Sequence, residues 1–142
     1  IFVGSGSLEN ELKERAQLFN LGKSFMFLGW SDSAAEIMLN SDLFILPHVE
    51  YPREGLGLVV VEAQLAKLPI LVSKGISQDA ILPGSRHFIL SLSTAPVKWA
   101  KKACDLLNSV EPINDVNMRF TKSPFNLDYA LKDLLNIYEG RR

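Results

Sequence analysis

At 142 residues, with 47% apolar and 22% charged residues, the chain is composed like a soluble globular protein and can bury one core. A formal net charge of −1 gives no electrostatic basis for nucleic-acid binding, and no apolar run approaches the roughly 20 residues of a membrane span. The single cysteine, Cys104, excludes an internal disulfide and any zinc site built on two cysteines, and it fits a reducing compartment.

Along the chain, short apolar runs alternate with amphipathic ones, the pattern of a parallel sheet with helical crossovers. Residues 1–3 read as the end of a strand with no methionine and no turn before it, which suggests a piece of a larger protein. A helix is expected over 8–20, where Leu8, Leu12 and Ala16 share a face and Glu9, Glu11, Lys13 and Glu14 look outward. A strand at 25–28, a helix at 33–40 and a strand at 43–46 follow. Next come a helix at 57–66 and strands at 70–72 and 88–90. Pro96 suits the first turn of a helix over 97–108, with Thr94 as its cap and Cys104 as a small buried thiol. Residues 111–124 are polar and irregular, and a terminal helix is expected at about 126–139. The near-continuous hydrophobicity of the strands fits burial on both faces. The fold class is therefore α/β, a Rossmann-like parallel sheet flanked by helices, in a single domain over 1–142. Ligands of such sheets collect at the carboxyl ends of the strands, where residues 4–7, 29–32, 47–57 and 73–79 would lie.

Glu54 and Glu62 bracket an otherwise apolar, glycine-containing run at the mouth of the third helix. Taken as wholly helical, the run separates them by roughly 12 Å along the axis, a span that suits a ligand with two hydroxyl-bearing ends. Gly55, Leu56, Gly57 and Leu58 would offer backbone N–H groups at the positive end of the helix dipole. The plainer readings are a capping carboxylate for Glu54 and a surface residue for Glu62. Gln64 reads as a packing or surface residue, and Lys101 and Lys102 as solvated charges. Gly4 and Gly6 form a tight strand-to-helix turn. A dinucleotide fingerprint would need a third glycine where Glu9 stands, and an acidic residue after the next strand. Trp30, after the second strand, reads on its own as a rim residue covering the core. His48, at the end of a strand, reads as a satisfied loop histidine ahead of a catalytic one, and His87 as structural. Arg53, in the same loop, is a candidate partner for a phosphate, with nothing in the sequence to fix that role. No Asp-x-Asp pair occurs, so no carboxylate pair for a diphosphate-bound metal is expected.

Glu54, seven residues and Glu62, followed by Ala63-Gln64-Leu65-Ala66-Lys67-Leu68-Pro69-Ile70-Leu71-Val72-Ser73, resemble the donor-binding half of the retaining GT-B glycosyltransferases of family 4. The segment 1–8, with its Gly-x-Gly loop, and the segments 25–32 and 41–47 resemble the family's preceding strands and connecting helix. The stretch 125–138 resembles the terminal helix of bacterial polysaccharide enzymes of this group. The resemblance implies the C-terminal half of a GT-B fold, lacking its first strand and helix. It implies transfer of a hexose from a UDP- or GDP-sugar to a glycan or lipid-linked acceptor held by an N-terminal domain of a larger two-domain enzyme. Glu54 would then act at the donor sugar and Glu62 at the ribose. Gly55, Leu56, Gly57 and Leu58 would bind sugar and phosphate oxygens, with Trp30, Ser31, Gly4 and Gly6 at the nucleotide. No metal cofactor is implied, because a helix N-terminus and basic side chains neutralise the leaving diphosphate. The family's Arg and Lys for that purpose precede the position of Ile1. The enzyme would be cytoplasmic, at the inner face of the membrane by peripheral association. Lys67 stands where the family often has glycine, at a helix end and harmless there, and Asp79 stands near a family glutamate. The alternatives are a non-catalytic Rossmann-like nucleotide-binding module and a GT-B-fold sugar-nucleotide epimerase.

Overall fold

A computed structural model describes residues 1–109 and 116–141. The chain forms two compact units, Ile1–Ile37 and Met38–Arg142.

In the first unit, α1 (Glu9–Leu18) carries Glu9 and Glu11 in its first turn and Arg15 in its last, charges that complement the helix dipole. Lys13 pairs with Glu9 at 2.5 Å and Arg15 with Glu11 at 2.8 Å, each one turn apart. Of the expected inner face, Ala16 is buried while Leu8 and Leu12 are exposed. The strands expected at 1–3 and 25–28 shorten to one parallel bridge between Phe2 and Phe27. The Phe2 N–H donates to the Met26 carbonyl (2.7 Å) and the Leu28 N–H to the Phe2 carbonyl (2.9 Å). Two short segments with no third strand beside them in this unit sustain a bridge rather than a ladder. Phe2, Phe25 and Phe27 pack ring to ring, with centroids 5.3–5.9 Å apart. The division between the units falls inside α2 (Ala34–Leu39).

The second unit is a three-stranded parallel sheet in the order β1 (Phe44–Leu46), β2 (Ile70–Ser73), β3 (His87–Leu90). Helix α3 (Leu58–Leu65) joins β1 to β2, and a single 3-10 turn, Gln78–Ala80, lies between β2 and β3. Side chains alternate along a strand. Ile70 and Val72 therefore face one way, into a core with Met38, Val60, Val61, Ala63, Leu68, Ile76 and Ala80. Leu71 and its register partner Phe88 face the other way, where Lys102 of α4 (Pro96–Asn108) lies 4.1 Å from the Phe88 ring centroid. Helices thus cover both faces, and β2 is buried throughout; β1 and β3 are not, because among the described residues of this unit each borders one strand.

Several expectations are corrected here. Ala95, not Thr94, is the N-cap of α4, and no side chain caps it; Pro96 does occupy the first turn. Cys104 is exposed. Lys102 is held by Asp105 at 3.1 Å and by the Phe88 ring, so it is more than a solvated charge. Of the stretch 111–124, residues 111–115 lie outside the described residues, and Val116–Thr121 form a short helix, α5, which packs on α3. The last helix, α6 (Leu127–Tyr138), is capped by the Asn126 carboxamide oxygen, which accepts from the Tyr129 N–H. No helix among the described residues is long and apolar enough to cross a membrane.

Candidate functional site

The carboxyl ends of β1, β2 and β3 release three loops, and hydrogen bonds tie the three together. The Ser73 hydroxyl, closing β2, donates to the His48 carbonyl in the loop after β1. Two residues on, the Gly75 carbonyl accepts the Glu54 N–H at 3.0 Å. The Lys74 N–H between them donates to the Leu90 carbonyl at 3.0 Å. From the other side, one Glu50 oxygen accepts both the Ser91 hydroxyl (2.6 Å) and the Leu92 N–H (2.8 Å) in the loop after β3. These two bonds hold the Glu50 carboxyl below the ordinary 4.5 of a glutamate, and Lys74 and Arg53 add to the effect. Gly75 has no room for a side chain: a Cβ there would stand 2.1 Å from the Val49 carbonyl oxygen.

This frame presents Glu54. Its Oε2 lies 3.3 Å from Nε2 of His48, while His48 Nδ1 lies 2.8 Å from the Val49 carbonyl. Both ring nitrogens therefore face acceptors. Gly57 follows in the left-handed region at φ 69°, is the N-cap of α3, and brings no capping side chain. An added Cβ would lie 3.4 Å from Glu54 Cγ, so the stem of that side chain passes beside the mouth of the helix. The first N–H groups of α3 lack acceptors within the helix by geometry, and Leu58 opens it.

Glu62 is exposed on α3, beside the exposed Leu58 and Val59, while Val60, Val61, Ala63 and Gln64 turn inward. The wholly helical reading of the glutamate run is corrected by the late start of α3. Only Leu58 to Glu62 is helical, a rise of about 6 Å, and Glu54 to Gly57 is loop. Side chains on a helix lean toward its N-terminus, which inclines Glu62 toward the end where Gly57 and Glu54 lie.

In the first unit, Gly4 adopts φ 123°, a conformation that needs glycine, and its N–H donates to the Gly29 carbonyl at 2.6 Å. The Gly6 carbonyl accepts the Glu9 N–H and so starts α1. Trp30 is 79% exposed, with Nε1 3.3 Å from Asp32 Oδ1; it covers no core of its own unit. The Ser31 hydroxyl accepts the Ser33 N–H. A separate open hollow of about 270 Å³ in this unit is lined by Lys13, Ala16, Gln17, Gly22, Phe25 and Phe27, none of them an expected site residue.

Sequence reasoning missed Glu50, Gly75 and Ser91, which fix the site loop, and underread Gln64. Its Nε2 donates to the Val60 and Ala80 carbonyls, and its Oε1 accepts from the Leu82 N–H and the Ser85 hydroxyl. It joins α3 to the segment that follows β2. The one visible signal was a glycine two residues after a strand. Asp79 bonds the Ser77 hydroxyl at 3.1 Å within the 3-10 turn.

Residues 1–109 match the family model described as Glycosyl transferases group 1. The chain belongs to that family. Among relatives of the chain, EpsF of Bacillus subtilis, named as a glycosyltransferase, is 28% identical over 139 residues, covering 97% of this chain and 35% of that protein. The UDP-Gal:alpha-D-GlcNAc-diphosphoundecaprenol alpha-1,3-galactosyltransferase of Escherichia coli is 40% identical over 74 residues, 51% of this chain and 18% of the enzyme. The Vi polysaccharide biosynthesis protein VipC/TviE of Salmonella typhi is 27% identical over 139 residues, 92% of this chain and 23% of that protein. The crystal structure of WaaG, a glycosyltransferase involved in lipopolysaccharide biosynthesis, matches with a TM-score of 0.65 at 16% identity, over 95% of this chain and 36% of WaaG. The α/β fold expected from the sequence is thus part of a GT-B glycosyltransferase fold. The chain spans about a third or less of the length of these relatives.

Proposed function

We propose that this chain is the donor-binding part of a retaining glycosyltransferase that transfers a hexose from a UDP- or GDP-sugar to a glycan or lipid-linked acceptor in bacterial polysaccharide synthesis. The observation that carries the reading is Glu54, held by Gly75 and His48 against the mouth of α3 at the carboxyl edge of a parallel sheet. In this reading Glu54 accepts hydrogen bonds from the sugar hydroxyls and orients the anomeric carbon. Glu62 takes the ribose diol, whose two hydroxyls satisfy both carboxylate oxygens. The N–H groups from Gly55 to Leu58 meet sugar and phosphate oxygens, and charge developing on the leaving diphosphate is stabilised by fixed dipoles. In the same reading Gly4, Gly6, Trp30 and Ser31 serve the nucleotide, a role supported by family likeness alone.

The Escherichia coli relative is named for a UDP-galactose donor and a diphosphoundecaprenol-linked acceptor. That name favours UDP over GDP and a lipid-linked over a free glycan acceptor. Such an acceptor would bring the complete enzyme to the cytoplasmic face of a membrane by peripheral association. An acceptor-binding domain would be supplied by the remaining length of polypeptide. Transfer would proceed without a metal ion.

Saturation-transfer NMR of the chain with UDP, GDP and NAD tests the donor class. Transfer to UDP or GDP, with the ribose protons most saturated, is the expected result. Preference for NAD would assign a different nucleotide-binding protein.

A further inference from the structure

We propose that His48 is a positioning residue for the Glu54 carboxylate. The extension to sugar binding rests on the donor-site reading above. His48 closes the strand end just beyond β1, and its main chain is clamped twice: Ser73 donates to its carbonyl, and Gly75 packs against the His48–Val49 backbone too closely to admit a Cβ. With the backbone fixed, the ring is aimed. Nε2 reaches 3.3 Å from Glu54 Oε2, and Nδ1 is held 2.8 Å from the Val49 carbonyl. A neutral imidazole donates to one of these acceptors, and an imidazolium donates to both. A proton on Nε2 faces Glu54 Oε2 across this ion-pair distance and draws that oxygen toward the ring.

The consequence is a division of labour on one side chain. Oε2 faces His48, and Oε1 is the oxygen left for a ligand. Without the imidazole, Glu54 can rotate between staggered conformers, since its side chain is 43% exposed. Arg53 and Lys74 are the cations of the same loop edge, and both act on Glu50. His48 is the basic group in contact with Glu54.

The chain has two histidines, and the second serves as an internal control. His87 opens β3 and bonds the Ser85 carbonyl, at the amino edge of the sheet, away from Glu54. In a proton–carbon correlation spectrum of the ring Hε1–Cε1 groups, Glu54→Gln is expected to move the His48 peak and leave the His87 peak in place. A His48 peak indifferent to Glu54→Gln overturns the proposal.

The functional arm is a double-mutant cycle read as affinity for UDP-galactose, with UDP as the control ligand. His48→Ala is expected to weaken UDP-galactose binding about tenfold and to leave UDP binding within about twofold. His48→Gln, which keeps a side-chain N–H, should recover part of the loss. In the Glu54→Gln background, His48→Ala should cost nothing further. Losses that multiply, or an equal loss for UDP, would mean that His48 acts on the loop or the ligand independently, and the proposal would fall. If the wild-type chain gains nothing from the sugar of UDP-galactose while the His48 peak still answers to Glu54, the donor-site reading fails and the positioning contact stands.

Discussion

Lys67 ends α3 at φ 66°, in a conformation that most residues adopt at a cost. The reason is a complete Schellman closure: the Lys67 N–H donates to the Gln64 carbonyl, and the Leu68 N–H donates to the Ala63 carbonyl. The sequence showed a lysine where the family often has glycine and suggested nothing worse than a harmless helix end. The dihedral explains the glycine and makes the lysine a small burden. Lys67→Gly should raise the unfolding free energy by about 1 kcal/mol in urea denaturation, because the relief of the left-handed strain outweighs the extra freedom given to the unfolded chain. An unchanged or lowered midpoint would contradict that account. Gln64 shows the opposite limit of sequence reading. Its type and position on an apolar helix were visible, but three of its four partners come from the segment 80–85, and no local pattern encodes that convergence.

At the scale of elements, the alternation of apolar and amphipathic runs placed α1, α2, α3, α4, α6 and all three strands of the second unit within a few residues. Two features resisted. The segments at 1–3 and 25–28 have strand composition but too few partners in their unit for a ladder, and pairing is a nonlocal property. The short helix α5 lay within a polar stretch that has no clear helical period. The site loop was legible as a place but not as a shape. The run Val49-Glu50-Tyr51-Pro52-Arg53 carries no local pattern, yet Glu50 anchors it to Ser91 and Leu92. That anchor has a pH signature. The folded-state pKa of Glu50 is lowered, so its contribution is present above the ordinary 4.5 and is lost as pH falls through the folded value. Thermal melts of the wild type and Glu50→Gln should differ most near neutral pH and converge in acid below about 4.5. Curves that stay parallel down to pH 3 would show that the carboxylate form does not matter.

For the whole molecule, membership of the group-1 family and the GT-B likeness agree with a fold built from apolar alternation and ridged by loops at one sheet edge. The resemblance of the two-glutamate run foresaw the family; the physics of the run alone would have allowed a capping carboxylate and a surface residue. What the structure adds is a difference between the two. Glu54 has its N–H bonded to Gly75, its carboxylate 3.3 Å from His48 and its stem beside Gly57, whereas Glu62 stands exposed on a helix shoulder. Their proposed roles therefore separate in binding. The most direct measurement is the affinity of the chain for UDP and for UDP-galactose, in the wild type, Glu54→Gln and Glu62→Gln. Glu62→Gln should weaken both ligands alike, about tenfold, through the ribose they share, and Glu54→Gln should abolish only the increment due to the sugar. Equal affinities across all three proteins would contradict the assignment of this acidic pair to a nucleotide-sugar donor.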